Sequence, residues 1–484
     1  MAHNLSEEER GRLFYHRLPD FDRKETKLDY LSDNSLSTVD WQRLVPNTKH
    51  TWRRTDTEDE FDSYIPIGSK GAPRSRSSEA EVLFSAYGPA VLTSRDMYVY
   101  AYSYDQLSKR TKQLVRDYNA QVAEFQQNVT KPDVDEFVDV KRIKWSATLK
   151  QQLKRGYVAA YFSDRLRNSL YRPFTKKYLY YDKPFVDRPG QLRFFLPDEN
   201  IESENRVLIL TDVAYRSASV SALIVNSIPS LSLLSTTDSH QCFPFYTYDE
   251  DGSNRRENIT DWALSQFRRH YHDPAISKWD IFYYVYGLLH HPGYCERYAL
   301  DLKRSLPRIP FAPARASENV GATYQVARDA TTSGFWPFSR AGRRLADLHL
   351  NYESADRYEL DWQSARKPVS YRVEKMLPKG KVDSAEGNYK VYSTLKYNDT
   401  LTLNEIPERA FAYRLGNRSA LDWIVDQYRV KSDKRSGITH DPNGYSDDPQ
   451  YILKLIERVI AVSLRTVDIV EELAKLPFRD ESAN

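Results

Sequence analysis

The sequence predicts a mixed α/β protein of the α+β kind: a β-rich central region flanked by a helical N-terminal linker and C-terminal helices. Three observations predict it. At 484 residues the chain is long enough for at least one sizeable core and more than one domain. Its centre is written in short β-branched runs broken by Pro and polar turns. Its outer parts carry apolar residues at helical spacing.

Taken in order, Arg12 to His16 reads as a strand and Arg23 to Leu31 as a heavily charged helix. Residues 43 to 78 are rich in Thr, Asp, Arg and Ser and include the tract GSKGAPRSRSS, which predicts an exposed loop. Val91 to Tyr102 is β-rich and predicts a strand. Leu107, Leu114, Tyr118, Val122, Phe125 and Val129 fall on one helical face. An acidic linker from Lys131 to Asp139 leads into a second helix through Trp145 to Lys154, and a boundary is expected there. Beyond it, LRFFLPDEN, RVLILTDVAY and SALIVNSI predict strands, whereas Trp279 to Leu289 is continuously apolar and long enough for a buried helix. Ala420 to Tyr428 and Tyr451 to Leu476 return to helix. The expected domains are therefore 1–150, 151–415 and 416–484.

Composition excludes more than it suggests. Only 17 Gly are present, and phosphate-cradling or methyl-donor loops need glycine so that backbone N–H groups can approach the ligand. No Gly-rich loop ends in Gly-Lys-Ser or Gly-Lys-Thr, and the Rossmann glycine fingerprint, His-Glu-x-x-His and Gly-x-Ser-x-Gly are absent. So is the Asn-Pro-Pro-Tyr or Asp-Pro-Pro-Tyr tetrapeptide of amino-methyltransferases, which Asp441-Pro442-Asn443-Gly444 only approaches. Two cysteines, a polar acidic start and the lack of any long apolar run predict a cytoplasmic protein without a membrane span. His240, Cys242, His290, His291 and Cys295 match no common zinc spacing, and His290 and His291 are expected to cap the preceding helix. Asp133, Asp139 and Lys141 faintly suggest a nuclease, but a charged linker produces the same pattern by chance.

The net charge of +3 hides a strong local imbalance. Between Lys141 and Arg193 stand fourteen Lys or Arg against three acids, interleaved with nine Tyr and Phe. Cations at that density neutralise phosphates and release counterions, and planar side chains pack on sugars and base edges, so the pattern points to nucleic acid. A solvated basic face over an ordinary core is the competing explanation. The candidate contacts are Arg172, Lys176 and Lys177, with Lys144, Arg165 and Arg167 as backbone clamps and Tyr171 and Phe174 either stacking near DNA or fixing the loop. A second cluster, Arg429, Lys431, Lys434 and Arg435, is either a further backbone clamp or a charged inter-helix loop.

Three strings, Tyr171-Arg172-Pro173-Phe174 running into Leu179 to Asp182, Trp279 to Phe311, and Asp422 to Ile438, occur together in this order. In this the chain resembles the C-terminal target-recognition region of type ISP restriction–modification enzymes and, more loosely, that of type IIG enzymes. Leu13 to Leu31 and Thr93 to Tyr102 resemble the stretch just downstream of the methyltransferase motifs in those enzymes. The resemblance implies sequence-specific binding of double-stranded DNA. It also implies that S-adenosylmethionine, ATP and Mg belong to parts that have no counterpart in this sequence, so no cofactor is expected in this chain. A separate methyltransferase, helicase or nuclease chain is the implied partner, and a half of a split adenine-N6 methyltransferase or a Tyr-rich interaction protein are the alternatives.

Overall fold

The computed structural model describes residues 12–18, 23–45, 57–69, 81–130, 132–213, 215–217, 219–313, 334–385, 387 and 389–480. The chain forms two compact units, Met1–Ser63 and Tyr64–Asn484. The division anticipated near residue 150 falls inside the second unit, where residues from Ala90 to Val462 share one core. Most of GSKGAPRSRSS lies outside the described residues.

In the first unit Leu13–Tyr15 pairs antiparallel with Gln42–Leu44. The helix Lys24–Asp33 follows the strand, as the sequence predicts, but none of its residues is buried. His16 stacks on Tyr30 at 5.3 Å, and its Nδ1 lies 2.8 Å from the Asp40 carbonyl. Within the expected loop of residues 43 to 78, Glu58–Ser63 is helical and Ile65–Pro66 is a short strand in the second unit.

The second unit is built on three four-stranded sheets. One runs Ile228–Pro229, Leu166–Arg172, Thr175–Tyr180, Tyr100–Ala101, with only its first pair parallel. Another runs Gly88–Pro89, His240–Pro244, Val207–Thr211, Ala222–Val225, and is antiparallel throughout. The last, Asp361–Ser364, Leu401–Asn404, Thr394–Lys396, Leu377–Lys379, is also antiparallel. Helices and small sheets alternate, so the fold is α+β, as predicted. No helix among the described residues is long and apolar enough to cross a membrane.

The predicted helical stripe becomes Tyr104–Gln127, capped by Ser103 and burying Leu107, Leu114, Tyr118, Val122 and Phe125. Val129 falls beyond its end and is exposed. Ala147–Lys154 packs against it, with Ser146 as the cap. Two expected strands are helical instead. Val91 to Tyr102 yields the short strand Tyr100–Ala101 and isolated bridges at Val91 and Leu92, because Asp96–Val99 is helical. There Thr93 Oγ1 donates to Asp96 and accepts from the Arg95 amide, and such local bonds compete with a strand ladder. LRFFLPDEN forms the short helix Leu192–Phe195, and Asp198 then caps Glu199–Glu204 by accepting from the Asn200 and Ile201 amides.

The buried helix is Lys278–Leu288, fixed at its start by a Ser277/Asp280 capping box. It packs along Phe335–Leu350, a helix that the β-rich reading of 151–415 does not anticipate. The approach requires glycine: a Cβ on Gly342 would lie 1.8 Å from the Tyr283 carbonyl oxygen, and one on Gly287 would lie 2.4 Å from that of Phe338. Ala420–Gln427 and Tyr451–Ala474 close the fold as expected.

Candidate nucleic-acid interface

The basic segment folds into a hairpin whose strands, Leu166–Arg172 and Thr175–Tyr180, are joined by Pro173–Phe174. Proline followed by a residue at φ +55° is the pattern of a type II turn, for which phenylalanine is an unusual second residue. Phe174 is held there by its ring, buried against Tyr352 at 5.0 Å and Tyr413 at 6.2 Å. The ring is thus packed inside the protein rather than exposed.

Burial divides the candidate cations. Arg167 is inside, where it donates to the Leu196 and Pro197 carbonyls and pairs with Glu202. Burial pushes the Glu202 carboxyl up and the guanidinium opposes this. A backbone-clamp role does not fit Arg167, because it is buried and its two terminal nitrogens are engaged within the protein, although its Nε has no partner. Lys176 pairs with Glu353, whose other oxygen accepts from Tyr451 at 2.8 Å, so this lysine ties the hairpin to the C-terminal helix. Lys144 is exposed, and Arg165 is half exposed with Asp164 3.9 Å away.

Arg172 and Lys177 are buried as well, yet their surroundings differ. The Arg172 guanidinium lies 4.2 Å from the Tyr171 ring centre and Lys177 Nζ lies 3.9 Å from it, with the Tyr102 ring 4.6 Å from Nζ. Arg172 donates to the Tyr171 carbonyl and to Ser230 Oγ, but its buried Nε has no partner. Tyr171 donates to Asp96 at 2.9 Å. Burial, and then the Arg172 charge, push the Lys177 ammonium down to about 7. Arg110 reaches the Met97 and Tyr100 carbonyls and His440 Nε2, and burial together with the Lys177 and Arg110 charges pushes His440 down to about 3.

The second basic cluster arrives at the same place. Lys431–Ser432 pairs with Thr439–His440, and Lys431 is near enough for its charge to act on Lys177. Arg435 Nε donates to the Val140 carbonyl at 2.8 Å, which places the exposed Lys434 and Arg435 beside the exposed Lys141, Arg142 and Lys144. Arg429 is turned back toward Asp426 at 3.4 Å. Charge density located both clusters in the sequence but could not show that they converge.

Sequence reasoning missed Arg95, which organises this face. Fully buried, it donates to the Lys144 and Phe185 carbonyls and to Ser146 Oγ, and pairs with Asp187 at 3.0 Å. A lone arginine in a mixed segment leaves no compositional trace. The suggested nuclease acids are structural here: Asp133 caps a helical turn, and Asp139 accepts from the Lys141 and Arg142 amides. His290 Nδ1 lies 2.8 Å from the Tyr286 carbonyl at the end of the buried helix, whereas His291 caps the next helix at its start.

No curated protein matches the chain. Among solved structures it is similar to a nuclease-deletion mutant of the Type ISP restriction–modification enzyme LlaGI in complex with a DNA substrate mimic. That match has 31% identity and a TM-score of 0.76 over 97% of this chain and 40% of the other. It is also similar to the ATP-dependent Type ISP restriction–modification enzyme LlaBIII bound to DNA, with 32% identity and a TM-score of 0.71 over 91% of this chain and 26% of that one. A DrdV–DNA complex matches at 28% identity with a TM-score of 0.76, over 95% of this chain and 43% of that one. The chain thus spans less than half the length of each. The sequence profile described as the Type ISP C-terminal specificity domain matches residues 82–455, and the chain belongs to that family.

Proposed function

We propose that this chain binds double-stranded DNA at a specific sequence and so directs the methyltransferase and restriction activities of a type ISP-like enzyme. The observation that carries the proposal is the likeness, over nearly the whole chain, to enzymes whose structures contain DNA. The exposed cations Lys141, Arg142, Lys144, Lys434 and Arg435 form one face, and they are the residues we assign to the DNA backbone, with Arg165 and Lys431 at its edges. Recognition is assigned to residues 82–455, the span of the specificity-domain match. S-adenosylmethionine, ATP and Mg would be held by other parts of such an enzyme, in a separate chain or domain.

Selection of bound duplexes from a random-sequence library tests this directly. A single enriched motif is the expected result, and uniform recovery of all sequences would overturn sequence specificity. Adenine methylation that appears only when this chain is mixed with a separate partner chain would favour the split-methyltransferase alternative.

A further inference from the structure

Four Lys or Arg side chains are buried among the described residues: Arg95, Arg167, Arg172 and Lys177. Arg95 has Asp187 and Arg167 has Glu202, which is the usual condition for keeping a charge away from water. Arg172 and Lys177 have no such partner, for among the described residues no carboxylate oxygen comes within 4 Å of either. The nearby acid, Asp96, is occupied by Tyr171 and Thr93. Two further cations, Arg110 and Lys431, act on the same point, and the Arg172 Nε is a buried donor with nothing to donate to. Tyr171 is only part-buried and Lys431 is exposed, so the cluster opens to solvent on their side.

We infer that Arg172 and Lys177 form the floor of a seat for one phosphate-type oxyanion, supplied by the DNA backbone, with Lys431 at its rim. The inference rests on the DNA-binding reading but goes further, since it assigns a single phosphate to two interior residues rather than to the exposed face. The anionic oxygens of a phosphodiester at this point supply the missing acceptors to Arg172 Nε and Lys177 Nζ. The groups facing Nζ are Arg172 and Tyr171 from the hairpin, Asp96, Tyr102 and Arg110 from the neighbouring segments, and Lys431 and His440 from the second basic cluster. Without the anion this predominantly cationic set favours release of the Lys177 proton near pH 7, and the anion favours its return. Binding is therefore accompanied by proton uptake.

The test is titration of the full chain with a fluorescein-labelled duplex pool at several pH values. Wild-type affinity should fall as pH rises through about 7, approaching tenfold per pH unit above it. Lys177→Met, which keeps the stem and removes the ammonium, should bind about tenfold more weakly at low pH and lose the pH dependence, with a salt slope smaller by about one. Arg172→Gln should weaken binding as well, and if it fails to fold the lysine variant carries the test. Lys434→Ala with Arg435→Ala should weaken binding while retaining the pH profile. Wild-type binding with an unchanged profile in Lys177→Met overturns the seat but leaves the DNA reading standing, whereas no binding by the wild type at any pH overturns that reading. Inorganic phosphate should compete with the duplex and raise the Lys177 titration midpoint. If phosphate saturates this site without affecting duplex binding, the backbone is not the source of the anion.

Discussion

Phe174 shows how one side chain can hold an unfavourable backbone. Its φ of +55° costs a residue with a Cβ about 1 kcal/mol or more, and the buried ring against Tyr352 and Tyr413 offsets this. Phe174→Ala keeps the strain and loses the ring, and should destabilise the protein by about 3–5 kcal/mol in urea melts. Phe174→Gly relieves the backbone and should cost less if strain dominates. At Lys177 the dependence on pH has a definite sign. Its folded value of about 7 lies below the 10.5 of an unperturbed lysine, so the unfolded chain binds more protons between the two. Stability should therefore rise with pH across that window, and Lys177→Met should flatten the rise in thermal melts. Charge density identified Arg172 and Lys177 as important in the sequence, but not as buried, because burial here comes from Tyr102 and the 431–440 segment, far away along the chain.

At the scale of elements, the sequence was most legible where a single face is buried over many turns. Tyr104–Gln127 and Tyr451–Ala474 have that form, and their periodicity places them to within a few residues. It was least legible where local capping or close packing decides the outcome. Asp96 and Asp198 start helices inside β-rich strings, and Phe335–Leu350 carries a proline and a glycine that disguise it. That glycine is essential to the packing, since the Tyr283 carbonyl occupies the space that a Cβ would need. Gly342→Ala should destabilise the protein by about 3 kcal/mol or more, whereas Ala341→Gly, one residue earlier in the helix, should cost about 1 kcal/mol plus the loss of a buried methyl group. Paired chemical denaturation of the two variants checks the difference.

For the whole molecule, the scarcity of glycine acquires a structural counterpart, for several of the glycines present serve close packing or tight turns. The two basic clusters meet through Arg435 and Val140, which are 295 residues apart in sequence. This makes the exposed face a property of the tertiary fold that no window of sequence contains. The salt dependence of binding checks it: replacing Lys434 and Arg435 by Ala should reduce the slope of log affinity against log salt by about two. A change near zero would place the duplex elsewhere. The first unit exposes Leu13, Phe14, Leu28, Leu31, Leu36 and Trp41, which the sequence pattern of a charged helix after a strand did not foretell.

The Arg95 clamp has a consequence for kinetics. By gripping Lys144, Ser146, Phe185 and Asp187 at once, it settles the shape of the basic face during folding, before any nucleic acid arrives. Little ordering entropy is then left to be lost at encounter. Association should accordingly be a single fast phase, limited by diffusion and steered by charge, with no lag from rearrangement. Arg95→Ala, by removing the ion pair of the half-buried Asp187 and leaving Lys144 untethered, should slow that phase as well as lower stability.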